Sequence, residues 1–417
     1  GPDQLQSATA APGGKFYAAG FAAQTLTGAR FVTVVKYGAT GLDTTFGTNG
    51  VVTTTVDFKG GSDEIDITTQ PDGKLLVSAT VAGATNPADR DVAVFRLLDT
   101  GAIDTTFGTN GLTTFSFNDA FDAGTMLIGT DAPRGLTADA TGIFVHGIAR
   151  AFGELTPGNP RQDTDFAVAK LDLTGNRVTT FGEQDGQFRL DIGKSTATAR
   201  GIKVLPDGKL LAGGYANSPG LGTTQPVLYK LTAEGKLDTT FAAGGLFHDT
   251  VLAVQTEVYN FAVHGDKIVT TGYGREVGAT NDFISLRFEL ATGMRDMTWG
   301  GAAKGAVLFD PSGTMLGSNC RSGLALPDGK TLMIGSIGPG NMPAQDAVFA
   351  VLDASGKLDT AYGTGVHKFV LGANGNDQFW GGAVSGDQVS VVGYKGGGAA
   401  QTEASNDDAF AAVFTLR

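Results

Sequence analysis

The sequence predicts an all-β fold, a seven-bladed β-propeller of four-stranded antiparallel blades in which the last blade ends at three strands. Three observations predict it. A phrase recurs at intervals of roughly 60 residues, the signature of a duplicated unit: "GLDTTFGTNG" from Gly41, "AIDTTFGTNG" from Ala102, "RVTTFGEQDG" from Arg177, "KLDTTFAAGG" from Lys236, "MRDMTWGGAAKG" from Met294 and "KLDTAYGTG" from Lys357. A tight turn also recurs, as Pro12-Gly13-Gly14, Pro71-Asp72-Gly73, Ala140-Thr141-Gly142, Pro206-Asp207-Gly208, His264-Gly265-Asp266, Pro327-Asp328-Gly329 and Ser385-Gly386-Asp387. Finally, 63 glycines and only 17% charged residues accompany a supply of Val, Thr, Phe and Ala that suits half-buried strands and turns rather than helices.

The second unit shows the elements in order. Residues 63–70 read as a first strand, Pro71-Asp72-Gly73 as a turn whose glycine can take positive φ, 74–81 as a second strand, 91–98 as a third and 111–117 as a fourth. Sheets of this size cannot bury both faces alone, whereas radial packing buries them all and leaves only short edges. The expected blades of this single domain are 3–56, 61–117, 131–192, 196–251, 255–310, 318–371 and 376–417. The seventh reaches only "DDAFAAVFTLR", a third strand, so its outer edge is expected to be exposed. Gly1-Pro2 has the form of a protease scar.

The recurrent phrase has a mechanical reading. Asp43, Asp104, Asp238, Asp296 and Asp359 are placed to accept hydrogen bonds from amides two residues on, tightening the turn between third and fourth strands. The aromatics Phe46, Phe107, Phe181, Phe241, Trp299 and Tyr362 are expected to insert between blades, each ring contributing about 1.5–3 kcal/mol on burial. One carboxylate per turn is far from the about six to eight oxygens of a calcium site. No metal or cofactor is expected.

The LDTTFG turn, the PDGK hairpin and the third strand ending in Lys or Arg before Leu resemble the bacterial delta-60-type propeller repeat over nearly the whole chain. The departures are Val178, which replaces the turn aspartate, and Ala242, which replaces the glycine after the ring. The resemblance implies the fold and an extracytoplasmic location, whether secreted, periplasmic or surface-anchored. It implies no particular reaction.

A net charge of -12 argues against a nucleic-acid partner, whose phosphates require clustered Lys and Arg. There is no apolar run of about 18 residues to cross a membrane as a helix. Cys320, the one cysteine, reads as packing, and the four histidines fall on separate elements with no HExxH or nucleophile-elbow pattern. The loops joining second to third strands (19–30, 82–90, 150–164, 216–225, 274–281, 338–345, 395–407) differ in length and content while the turns are alike. A non-catalytic scaffold binding a protein or glycan partner on that loop face is therefore expected.

The alternative is a small anionic ligand at the axial mouth, or a propeller hydrolase using Asp63, Glu64, Asp66 or Glu257. Arg134, Arg200 and Arg321 occupy one equivalent position near the start of the innermost strand, with Tyr259 and Trp380 one step further along, a set suited to a carboxylate, phosphate or sugar. Against this, each arginine can pair with a nearby aspartate: Asp91, Asp165, Asp282, Asp346 and Asp408 begin the third strand in five blades, and such pairs within a blade would be structural. Both readings stand at the level of sequence.

Overall fold

The computed structural model describes all residues except 26, 61–63, 85, 118–130, 152, 184–185, 219–221, 302, 339–344, 363, 372–375, 397–406 and 416–417. Its strands form successive antiparallel meanders. In the first sheet β1 (Asp3–Ala11), β2 (Lys15–Ala23) and β3 (Arg30–Gly38) pair in order, β4 (Gly41–Leu42) folds back on β3, and β5 (Val51–Asp57) closes the outer edge. The second contains β6 (Asp66–Thr69), β7 (Leu75–Ala82), β8 (Arg90–Leu97) and β9 (Leu112–Phe115). In the third, β10 (Ala132–Asp139) and β11 (Gly142–Arg150) lead through a ribbon of β12 (Glu154–Thr156) and β13 (Asn159–Pro160) to β14 (Thr164–Leu171) and β15 (Gln187–Leu190).

The fourth sheet has β16 (Ala197–Val204), β17 (Leu210–Asn217), β18 (Thr224–Leu231) and β19 (Leu246–His248). A single parallel bridge, Thr224 to Gln255, ties it to the fifth: β20 (Gln255–His264), β21 (Lys267–Arg275), β22 (Asp282–Glu289) and β23 (Ala306–Phe309). The sixth has β24 (Ser318–Ala325), β25 (Thr331–Ile337), β26 (Asp346–Leu352) and β27 (Val366–Phe369), and the last β28 (Gln378–Ser385), β29 (Gln388–Lys395) and β30 (Asp408–Thr415). Among the described residues β30 pairs with β29 alone. This is an all-β propeller fold, and no described helix is long and apolar enough to cross a membrane.

Two boundaries in the second unit differ from the sequence reading. Its first strand begins at Asp66, because Asp66 turns its carboxylate to the amides of Ile67 and Leu136. Its fourth strand stops at Phe115, because Ser116 and the Phe117 amide donate to Asp131 instead of to a strand neighbour.

The middle strands are apolar on both faces because each sheet packs against the next. Tyr17, Val32 and Val34 of the first sheet, for example, meet Ile67, Leu75, Val77, Phe95 and Leu97 of the second, with Phe46 among them. Phe46, Phe107, Phe181, Phe241 and Trp299 are all buried. The side chain of Tyr362 lies outside the described residues.

The turn aspartates accept the amide two residues on: Thr45 N to Asp43 at 3.2 Å, Thr106 N to Asp104 at 3.1 Å, Thr240 N to Asp238 at 3.2 Å, Thr298 N to Asp296 at 2.8 Å and Ala361 N to Asp359 at 3.0 Å. They do more than cap. Each is also paired with the lysine of the hairpin turn, the cation of the third strand, or both: Asp43 with Lys15 and Lys36, Asp104 with Lys74 and Arg96, Asp238 with Lys209 and Lys230, Asp296 with Arg287, and Asp359 with Lys330. The Lys15 ammonium, first, and the Thr45 hydroxyl hold the Asp43 carboxyl well below the usual carboxylate range. Hairpin, third strand and outer turn are thereby tied at one anion, which explains why PDGK, K/R-L and LDTTF recur together.

Candidate functional site: a polar central cavity

The first strands of all the sheets converge on a cavity of about 240 Å³. Gln6 and Ser7 come from β1, Asp66 from β6 with Glu64 just before it, Arg134 from β10, Lys203 from β16, Tyr259 and Asn260 from β20, Arg321 and Ser322 from β24, and Trp380 from β28. One backbone device aims most of them. The pairing register shifts between Leu5 and Ser7, Pro133 and Gly135, Ala199 and Ile202, Val258 and Asn260, Cys320 and Ser322, and Phe379 and Gly381. The extra residue at such a bulge is unpaired and its side chain re-aimed. Those residues include Gln6, Arg134, Arg200, Tyr259, Arg321 and Trp380.

Bulge position thus makes Tyr259 and Trp380 true equivalents of the arginines, not neighbours one step along as alignment on the turns suggests. The structure brings Arg134, Arg321, Tyr259 and Trp380 to the cavity wall. Arg200 lies behind the wall, bonded to Glu64, to Tyr215 Oη at 3.1 Å and to Tyr259 Oη at 2.9 Å, with its guanidinium 3.9 Å from the Tyr259 ring centre. Glu64 belongs to the second unit and Arg200 to the fourth, so the pair forms between sheets.

The expected pairing of each arginine with the aspartate of its own third strand is not what holds Arg200 or Arg321. The third strand of Arg200's sheet, Thr224–Leu231, carries no aspartate; in the sheet of Arg134 Asp165 is taken by Arg161 and Arg189, and in that of Arg321 Asp346 is taken by Lys368. Arg321 donates to Tyr259 Oη at 3.3 Å and stacks 4.8 Å from the Trp380 ring centre and 5.4 Å from that of Tyr259; it has no carboxylate ion pair among the described residues. Lys203 lines the cavity with no hydrogen bond or ion pair among them, its pKa lowered by burial against a partial offset from Asp66.

The two carboxylates of the wall are already engaged. Glu64 bonds Arg200, and Asp66 accepts from Ser7 Oγ, Ile67 N at 2.9 Å and Leu136 N at 2.8 Å. Burial raises Asp66 to about 6 in spite of those donors. What remains for a ligand is cationic, aromatic and neutral polar, the last from Thr9, Thr68, Thr137, Asn260 and Ser322. Lys203 and Asn260 escaped the sequence reading. Lys203 lies three residues past the bulge residue Arg200, an odd spacing that puts side chains on opposite faces of a regular strand, and only the bulge restores it to the cavity face.

Of the other carboxylates singled out in the sequence, Asp63 lies outside the described residues, and Glu257 is buried, accepts from Gln255 Nε2 and lies within the field of Arg200 and Arg321. Asp163, Asp165 and Asp191 offer oxygens within 4.8 Å of one another, but the Arg161 guanidinium lies among them, bonding Asp163, Asp165 at 3.2 Å and Asp191 at 2.9 Å. His146 is buried between the Arg200 carbonyl at 3.0 Å and Tyr229 Oη at 2.8 Å, and burial lowers it to about 4, so it is neutral. Cys320 is fully buried and its thiol pushed up to about 12. The loop face is only partly described, and the connection 118–130 lies outside the described residues.

Residues 70–107 and 205–241 match a family described as "Domain of unknown function (DUF5122) beta-propeller". No curated protein sequence matches the chain. Among solved structures, the chain is similar to puromycin hydrolase (13% identity, TM-score 0.44, 94% of this chain and 50% of that one). It is also similar to the β-propeller domain of the Trilobed protease from Pyrococcus furiosus (10%, 0.46, 100% and 98%) and to Pyrococcus horikoshii acylaminoacyl peptidase (9%, 0.48, 100% and 52%). The chain thus spans about half the length of the hydrolase and of the peptidase. At such identity the likeness concerns the fold alone.

Proposed function

We propose that the chain forms a closed ring of seven blades, the last three-stranded, that binds a small carboxylate- or phosphate-bearing molecule on its axis. The observation that carries this reading is the cavity wall. Every first strand contributes to it, its two carboxylates are committed to protein donors, and Lys203 and Arg321 have no ion pair among the described residues beside the faces of Trp380 and Tyr259, the nearest carboxylates acting on them only at longer range. A guanidinium fixed between rings is pre-organised for a planar anion. Lys203 is half-buried, and partial desolvation of an ammonium with no ion pair is a cost that a bound anion would relieve. The delta-60-type resemblance, beyond the propeller match itself, supports an extracytoplasmic setting. A protein or glycan partner on the loop face remains a separate reading whose loops lie partly outside the described residues.

The test is thermal melting with inorganic phosphate, citrate, glucuronate and the neutral sugar glucose. A ligand at about 100 times its Kd adds about 2.7 kcal/mol of apparent stability. One or more anions should raise Tm, glucose should not, and Lys203→Met with Arg321→Gln should abolish the rise while leaving the ligand-free melt intact. Equal stabilisation by glucose, or an anion effect that survives both substitutions, would overturn the proposal.

A further inference from the structure

At five junctions between successive sheets the gap is closed by an aromatic ring from the recurrent turn. Phe46 sits with Val32 and Val34 of its own third strand and with Phe95 and Leu97 of the next. Phe107 does the same with Val92, Val94, Ala169 and Leu171. Phe181, Phe241 and Trp299 share clusters with Leu231, Phe288 and Leu352, the residues equivalent to Leu97. The amide following each ring then donates to the turn of the next sheet: Gly47 to Thr100 at 2.8 Å, Gly108 to Thr174 at 2.7 Å, Gly182 to Glu234 at 2.8 Å, Ala242 to Thr292 at 2.7 Å and Gly300 to Ser355 at 3.0 Å.

The last sheet also abuts the first. Asp3 N donates to the Asp407 carbonyl at 2.8 Å, and Tyr37 Oη lies 2.6 Å from Ser390 Oγ. Here, however, a groove of about 490 Å³ persists, lined among others by Val35, Tyr37, Leu42, Ala409, Ala411 and Val413. By pairing register Val35 and Tyr37 hold the positions of Phe95 and Leu97, and Ala409 and Ala411 those of Val32 and Val34. The walls of an aromatic socket are therefore present, and no described residue supplies the ring. The same sheet offers a free edge along β30, where β3 and β8 carry β5 and β9.

We infer that this groove is a docking site for a polypeptide segment with the chemistry of the repeat's own turn: an aspartate-capped turn, an aromatic three residues after the aspartate, and an extended stretch behind it. The ring fills the socket between Tyr37 and Ala411, and the extended residues add antiparallel to β30. The five filled junctions identify the occupant, and neither the central cavity nor its ligand enters into it.

The probe is a synthetic peptide copying residues 41–55, with a control in which alanine replaces the phenylalanine at the position of Phe46. The parent peptide should bind one to one, raise Tm and slow hydrogen exchange along Asp408–Thr415. The alanine control should bind at least about tenfold more weakly. Ala411→Trp fills the socket and should abolish binding; Val413→Arg, at its rim, should weaken it even if the tryptophan variant does not fold. No binding at millimolar peptide, equal binding of both peptides, or protection of some other strand would overturn the inference.

Discussion

Asp104 and Phe107 show how the repeat divides its stability. The Asp104 carboxylate accepts from the Thr106 amide and hydroxyl and is paired with Arg96 at 2.9 Å and Lys74 at 3.0 Å. Burial raises its pKa, but the Thr106, Lys74 and Arg96 interactions outweigh burial and hold it well below the usual carboxylate range. Losing a cap alone costs about 0.5–2 kcal/mol, and stranding a buried cation costs about 3–5 kcal/mol. Because Lys74 is partly solvated, Asp104→Ala should cost about 2–3 kcal/mol. Phe107 is fully buried at an inter-sheet junction with the Arg96 guanidinium 4.8 Å from its ring centre, so Phe107→Ala should cost about 3–5 kcal/mol. Urea unfolding of both variants checks the order, and a larger loss for Asp104→Ala would make the ion-pair hub, not the ring, the main tie.

At the scale of elements the sheets are unequal. β8 is bonded on both sides, to β7 and β9, whereas β30 is bonded only to β29 among the described residues. Amides of Asp408–Thr415 should therefore exchange faster than those of Arg90–Leu97 in native-state hydrogen exchange. Equal protection in a monomer would mean that the edge is already covered. The segment leading into β14 supports a second expectation. Arg161 occupies the space among Asp163, Asp165 and Asp191 and donates to all three, with Arg189 also on Asp165, so a chelator should leave Tm unchanged. A drop of several degrees would show that a cation shares the cluster.

For the whole molecule, buried carboxylates of opposite kind shape the pH profile. Asp104, Asp238 and Asp296 have pKa values below their ordinary 3.8, Asp296 at about 2, where the Thr298 hydroxyl is the leading cause. Their stabilisation is complete above about pH 4 and is lost as pH falls from there toward 2. Asp66 and Asp131 run the other way. Burial raises them to about 6 and about 7, so the native state binds more protons than the unfolded chain between their unfolded and folded values. Stability therefore falls as pH rises through that window. Burial lowers His146 to about 4, which raises stability with pH up to its unfolded value of about 6.5 and opposes that decline, so Tm should be nearly level from about pH 5 to 6.5, decline toward neutrality as Asp131 loses its proton, and collapse below about 4. A Tm that climbs steadily from pH 4 to 8 would contradict this balance.

What the sequence by itself determined is whatever local chemistry dictates and repetition averages: strand positions, Pro-Asp-Gly hairpins, capping aspartates and an aromatic at a constant offset. These depend on contacts within a few residues or between adjacent units, so they leave a periodic trace. The aspartates' second task, collecting Lys74 and Arg96 or Lys209 and Lys230, was present in the recurring PDGK and K/R-L phrases yet needed the sheet pairing to bring the ends together. Only the tertiary structure decided the chemistry of the centre. Arg200 finds Glu64 across 136 positions, Arg321 lodges against Tyr259 and Trp380 from other sheets, and Lys203 faces the cavity because a bulge reverses its side. A bulge shifts the alternation by one without changing composition, and the partner of a central side chain is set by how the sheets converge. Neither leaves a mark in the order of residues.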